Sequence, residues 1–131
     1  MNVLLTNGDG YAANGLRAMR QALIDAGCNV LTVAPMRPHR RASRMASGQR
    51  PVAMDRVGGD DRHPIFQADG SPVDCVRIAI LSGMAREVSV VVSGIGEGAS
   101  IGDDATYSST TGAAMEAALL GYPAMAVSQQ A

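Results

Sequence analysis

Leu4 to Tyr11, LLTNGDGY in one-letter code, joins an apolar run to a turn in which two glycines surround one carboxylate. Val3, Leu4 and Leu5 read as a short buried strand, because large and β-branched apolar residues run together and stop at turn formers. Asp9 then falls just past the carboxyl end of a strand, the edge at which open α/β sheets bind ligands. Two readings of the loop stand side by side: a plain turn that caps the next helix, and a loop that holds a ligand.

The surrounding pattern supports an α/β reading. Leu16, Met19, Ala22, Leu23 and Ala26 recur at helical spacing, with Asn14 placed as the N-cap and Gly27 as the stop. Val30 to Ala34 reads as a second strand, closed by Pro35, which completes a βαβ unit. Val52 to Val57 and Ile65 to Ala68 read as a hairpin around the turn at Gly58, Gly59, Asp60 and Asp61. Ser71-Pro72-Val73-Asp74 is the strongest local signal, with a Ser N-cap, Pro at the first helical position and a carboxylate at the third. The helix it opens runs to Leu81, with Val73, Val76, Ile80 and Leu81 as its apolar positions and Gly83 as its stop.

Val88 to Val92 is a valine run broken only by Ser89, the pattern of a central parallel strand buried on both faces. The Gly- and hydroxyl-rich stretch SGIGEGASIGDDATYSSTTG follows and reads as a second ligand loop. Thr111 to Leu120 is then a helix stopped by Gly121, and Ala124 to Val127 is a last strand. The predicted architecture is a three-layer αβα sandwich on a mostly parallel, Rossmann-like sheet, formed by residues 1–131 as one domain.

Composition narrows the function classes. Of 131 residues, 47% are hydrophobic and 18% charged, which fits a packed domain rather than a disordered segment. Aromatics are 3%, with no Trp and one Phe, which argues against base stacking on single-stranded nucleic acid. A net charge of −1 argues the same way, although Arg37, Arg40, Arg41, Arg44 and Arg50 crowd one stretch. No nucleic-acid or membrane partner is expected. Cys28 and Cys75 lack metal-ligand spacing and read as reduced core residues, and the eight methionines read as gap fillers. The N-terminal apolar run is too short for a signal peptide, so the expected compartment is the cytoplasm.

Carboxylates, hydroxyls and backbone amides around Gly-rich turns are what a hard cation or a phosphate requires. Asp9, Asp103 and Asp104 offer oxygen ligands, while Ser108, Ser109, Thr110 and Thr111 offer hydroxyls and N–H groups where a helix begins. Solvated turns and simple N-capping account for the same residues without a ligand. The stretch GIGEGA from Gly94 matches a dinucleotide-binding pattern but is followed by further loop rather than by a helix. Asn7-Gly8-Asp9-Gly10 is similar to a D-x-D-G phosphatase loop, yet Asn7 stands in the nucleophile's place. His39 and His63 have no triad spacing.

Taken in order, the motifs resemble the survival protein SurE family. LLTNGDGYAANGLRAM resembles its N-terminal signature, VLTVAP its second strand, ADGSPVDCVRIAI its DGTPADCV helix, and VVVSGI its fifth strand. IGDDATYSSTTGAAMEAAL and GYPAMAVS are similar to its following helix and strand. The resemblance implies a divalent-metal-dependent phosphatase acting on nucleoside monophosphates, with Mg²⁺ or Mn²⁺ as cofactor and assembly into dimers or tetramers. It also implies a C-terminal part of the family fold that is absent from these 131 residues.

In the family the ion is held by two adjacent aspartates, a serine and an asparagine. By resemblance those positions are Gly8 and Asp9, Arg40, and Gly96, so three of four ligand types are replaced. The resemblance therefore leaves Asp9 as catalytic and metal-binding residue, with Glu97, Asp103 and Asp104 as substitute ligands. Asn7, Arg40, Ser108, Ser109 and Thr110 remain for substrate or phosphate, Arg40 through bidentate hydrogen bonds. Three functions follow: a phosphatase with a rearranged metal site, a metal-independent binder of a phosphorylated or anionic small molecule, and an inactive partner of a complete family member.

Overall fold

The computed structural model describes residues 1–38, 52–97 and 109–129. Six strands form one sheet in the order β3-β4-β2-β1-β5-β6: β1 Asn2–Thr6, β2 Asn29–Pro35, β3 Met54–Gly58, β4 Ile65–Ala68, β5 Val90–Glu97 and β6 Ala124–Gln129. β3 and β4 are the antiparallel pair, and every other pairing is parallel. Helices α1 Asn14–Asp25, α2 Pro72–Leu81 and α3 Ser109–Leu119 complete the described elements.

Alternation along the strands sorts the core into two layers. Val3, Leu5, Val30, Ala34 and Val92 pack against Leu16 of α1 on one face. Leu4, Val33, Ala68 and Val91 pack against Cys75, Val76 and Ala79 of α2 and Ala113 and Ala117 of α3 on the other. The expected three-layer α/β sandwich is the structure found. β1 leads through α1 to β2 on one side of itself, and β5 joins β1 on the other side. The sheet's topological switch therefore lies between β1 and β5, where a ligand crevice opens at the carboxyl ends.

Local chemistry explains the helix ends. Ser71 Oγ accepts the Asp74 N–H at 3.2 Å and Asp74 Oδ2 accepts the Ser71 N–H at 2.8 Å, a reciprocal capping box. α1 differs from its expected start: Ala13 is the N-cap, without a side-chain bond, and Asn14 is the first helical residue. Its end is as expected. Gly27, at φ +91°, donates to Ile24 O while Cys28 donates to Leu23 O, which closes the helix in a Schellman motif.

Three expectations change. The buried side of α2 consists of Pro72, Val73, Cys75, Val76 and Ala79, whereas Leu81, expected on the apolar face, is 62% exposed. Methionine is not uniformly a core filler: Met1, Met115 and Met125 are exposed. β5 runs five residues beyond Val92, through a stretch read as loop, because its glycines fit a crowded strand. Gly94 has φ +143°, and a Cβ there would collide with the Val127 carbonyl of β6.

Candidate functional site

Asn7 fixes the loop after β1. Its side chain is fully buried, its Nδ2 donates to Gly10 O at 3.0 Å, and its Oδ1 accepts the Gly10 N–H at 3.1 Å. This two-way bond closes the turn on itself and leaves Gly8 and Asp9 at its apex. The Tyr11 N–H donates to Pro35 O at 2.9 Å, which ties the loop to the end of β2.

On the other side Asp9 Oδ2 accepts the Glu97 N–H at 3.0 Å. The bond crosses from the loop after β1 to the last residue of β5, over the switch point of the sheet. Next to Glu97, Gly96 lies against the start of α3: a Cβ at Gly96 would collide with Thr110 Oγ1. Ser109 and Thr110 are buried in the first turn of α3, not in a loop before it. The described ends of β1, β2 and β5 and the amino end of α3 therefore meet at one sheet edge. A cavity of about 300 Å³ adjoins it, lined by Asn14, Gly15 and Ala18 of α1, Ile95, Gly96 and Glu97 of β5, and Gln129.

Of the residues singled out in the sequence, Asn7, Asp9, Glu97, Ser109 and Thr110 are brought to this edge. Arg40, Asp103, Asp104 and Ser108 lie outside the described residues, as does most of the arginine-rich stretch. Sequence reading gave Glu97 a role only through its carboxylate, and the structure adds its backbone N–H as the partner of Asp9. The contact between Gly96 and Thr110 was also missed. Its only signal was the glycine itself, standing in a strand where small size permits close approach.

Cys75 is buried beneath the edge, next to Thr6. Burial pushes its thiol pKa well above the ordinary value, the Asp74 charge pushes the same way, and the Thr6 hydroxyl opposes them weakly. A thiol held protonated in this way is not a nucleophile. His63 is committed elsewhere, its Nδ1 accepting the Val30 N–H at 3.2 Å.

The donor set for a divalent ion can be tested on these residues. Mg²⁺ binds near-octahedrally through oxygen, usually with at least one or two carboxylates and retained water. Asp9 already receives an N–H, Gly8 and Gly96 bring no side chain, and no group of three or more His, Cys, Asp or Glu among the described residues is arranged to hold a metal. The described residues alone do not fit the ion.

The fold is an αβα sandwich on a Rossmann-like sheet, with Asp9, the buried Asn7 and the hydroxyl-bearing first turn of α3 at its switch point, the edge at which such sheets bind ligands. The sequence profile of the family Survival protein SurE matches residues 3–131, and the chain belongs to that family. It is 43% identical over 128 residues to 5'-nucleotidase SurE of Geotalea daltonii, covering 98% of this chain and 50% of that protein. The same identity is found to 5'-nucleotidase SurE of Maridesulfovibrio salexigens, of which 51% is covered. The crystal structure of the SurE protein from Aquifex aeolicus superposes with a TM-score of 0.85 at 36% identity, over 98% of this chain and 50% of that one. The chain thus spans about half the length of the curated relatives it matches.

Proposed function

We propose that this chain keeps the phosphate-ester site of a SurE-type nucleotidase and has lost the ordinary divalent-metal chemistry. The ligand class is a nucleoside monophosphate or another phosphorylated small molecule, and hydrolysis is slow or missing. The observation that carries the reading is the Asp9–Glu97 bond across the switch point. It joins the family's first and fifth-strand loops around Gly8 and Gly96, the two positions without a ligand side chain. Relatives named 5'-nucleotidase SurE support the substrate class.

Asp9 is assigned the reacting end of the site. Ser109 and Thr110, in the first turn of α3, are assigned the phosphate, where N–H groups and the positive end of the helix dipole favour an anion. Arg40 and Ser108 are assigned to the same anion on sequence alone, and Glu97, Asp103 and Asp104 remain as substitute ligands should Mg²⁺ or Mn²⁺ bind. Two free thiols, Cys28 and Cys75, fit the cytoplasm. No helix among the described residues is long and apolar enough to cross a membrane.

Titration with a nucleoside 5'-monophosphate in the presence of chelator tests this reading. Saturable shifts of the Asp9, Gly10, Ser109 and Thr110 amides are expected, and their absence would overturn it. A second reading, association with a copy of itself or with a complete family member, is favoured by β6. This edge strand exposes Ala124 and Met125, the latter at 54%, next to exposed Leu119 of α3. A mass measurement across a concentration series tests it.

A further inference from the structure

α1 lies over β1, β2 and β5 on its face of the sheet, and none of the described helices packs across β3 and β4 there. The step between the flank of α1 and the β3–β4 hairpin forms a cavity of about 380 Å³, a volume within the range of small-molecule sites. Arg17, Arg20 and Gln21 form its wall, and Thr32, Val57 and Ile65 come from the sheet beneath. The three wall residues share one side of α1 because they are spaced i, i+3 and i+4. Thr32 and Ile65 are register partners on β2 and β4, so their side chains stand side by side. Tyr11 also borders the cavity, but Asp9 and Glu97 do not.

Two buried polar atoms of this lining have no hydrogen-bond partner: Thr32 Oγ1 and Arg20 Nε. Thr32 is completely buried. Asn29 Oδ1 of the same strand and the Thr6 and Ser93 hydroxyls also lack partners, but Thr32 Oγ1 and Arg20 Nε are the two such atoms among the residues that line this cavity, where a ligand or water can reach them. The guanidinium of Arg20 is already positioned. Its Nη2 donates to His63 O at 2.9 Å, and the His63 ring is itself held by the Val30 N–H. Asp60 is within electrostatic reach of Arg20, but its carboxylate accepts the Arg62 and His63 N–H groups. A fixed cation, a second arginine one turn away, an orphaned hydroxyl and an apolar floor are complementary to an anion with an apolar body.

We propose that this cavity is a second ligand site, separate from the carboxyl-edge site, for a small organic anion. Its anionic head meets Arg17 and Arg20, its apolar body covers Val57 and Ile65, and a polar atom faces Thr32 Oγ1.

The test is titration of the 131-residue chain with benzoate, phenyl phosphate and acetate, followed by amide chemical shifts in NMR spectra. Saturable shifts at Arg20, Thr32 and Val57 are expected with benzoate or phenyl phosphate, and the tighter of the two identifies the head group as carboxylate or phosphate. Acetate, without an apolar body, should bind at least about tenfold more weakly. Thr32→Val, close to isosteric, and Arg17→Gln, at an exposed position, should each weaken binding about tenfold. Three results would overturn the proposal: no saturable shift, an affinity unchanged in both variants, or shifts centred on Asp9, Gly10 and Glu97. The last would assign the anion to the carboxyl-edge site instead.

Discussion

Asp9 and Glu97 are 88 residues apart in the chain, and Asp9 Oδ2 accepts the Glu97 N–H at 3.0 Å. A carboxylate that accepts a backbone N–H at the end of a strand is both a structural tie and a restraint on its own chemistry. The lone pair directed at Glu97 is not available to a cation.

Replacing Asp9 separates these two roles. Asp9→Asn keeps an oxygen acceptor for the Glu97 N–H and should change stability little. Asp9→Ala removes the acceptor and should cost about 1 kcal/mol, read as a shift of the urea midpoint. Hydrogen exchange at the Glu97 amide should accelerate in the alanine variant and stay near the parent rate in the asparagine variant. Equal exchange in the two variants would show that the bond does not hold the end of β5.

Asn7 is the stronger structural residue of the same loop. Asn7→Ala leaves the buried Gly10 N–H without its acceptor and takes one of two donors from Gly10 O, which keeps the Ala13 N–H, and a loss of about 1–3 kcal/mol is expected. Chemical denaturation measures it. Asn7→Asp, which keeps an acceptor but loses the donor to Gly10 O, should fall between the alanine variant and the parent.

Gly96 and Thr110 make a coupled pair. Restoring the asparagine that the family resemblance places at position 96 brings a Cβ into Thr110 Oγ1, so Gly96→Asn alone should destabilise by about 1–3 kcal/mol. Adding Thr110→Ala removes the colliding hydroxyl and should recover most of that loss. Thermal melts of both single variants and the double variant complete the cycle, and additive losses would contradict the contact.

Much of the fold was legible because local and global signals agree. The capping box at Ser71 and Asp74, the Schellman stop at Gly27 and the buried runs of β1 and β2 each carry enough chemistry within a few residues to be read directly. The end of β5 was not legible. Gly94 and Gly96 read as loop formers, while in the fold they are strand residues made small by the Val127 carbonyl and by Thr110. Such a requirement comes from neighbours distant in the chain. The site divides the same way: Asp9 follows from its position after a strand, but its Glu97 partner follows only from the pairing of β1 with β5.

Asp60 supplies a pH signature. The His63 N–H at 2.9 Å is the main cause that holds its carboxyl below the ordinary value of 3.8, and the Arg62 N–H adds to it. A carboxyl with a depressed folded pKa contributes stability above its unfolded pKa and loses it as pH falls through the folded value. The stability gap between the parent and Asp60→Asn should therefore be constant from neutral pH to about pH 5 and close below about pH 4. Urea midpoints measured across that range check the sign. A gap that widens in acid would contradict it.

The most direct measurement is calorimetric titration with Mn²⁺ and Mg²⁺ beside a chelated control, followed by phosphate release from a panel of nucleoside monophosphates. The expected result is weak or absent metal binding and no release above the chelated control, with Gly8 and Gly96 leaving Asp9 short of the oxygen ligands an octahedral ion needs. Tight metal binding with chelator-sensitive phosphate release would contradict it, and would assign the missing ligands to Glu97, Asp103 or Asp104.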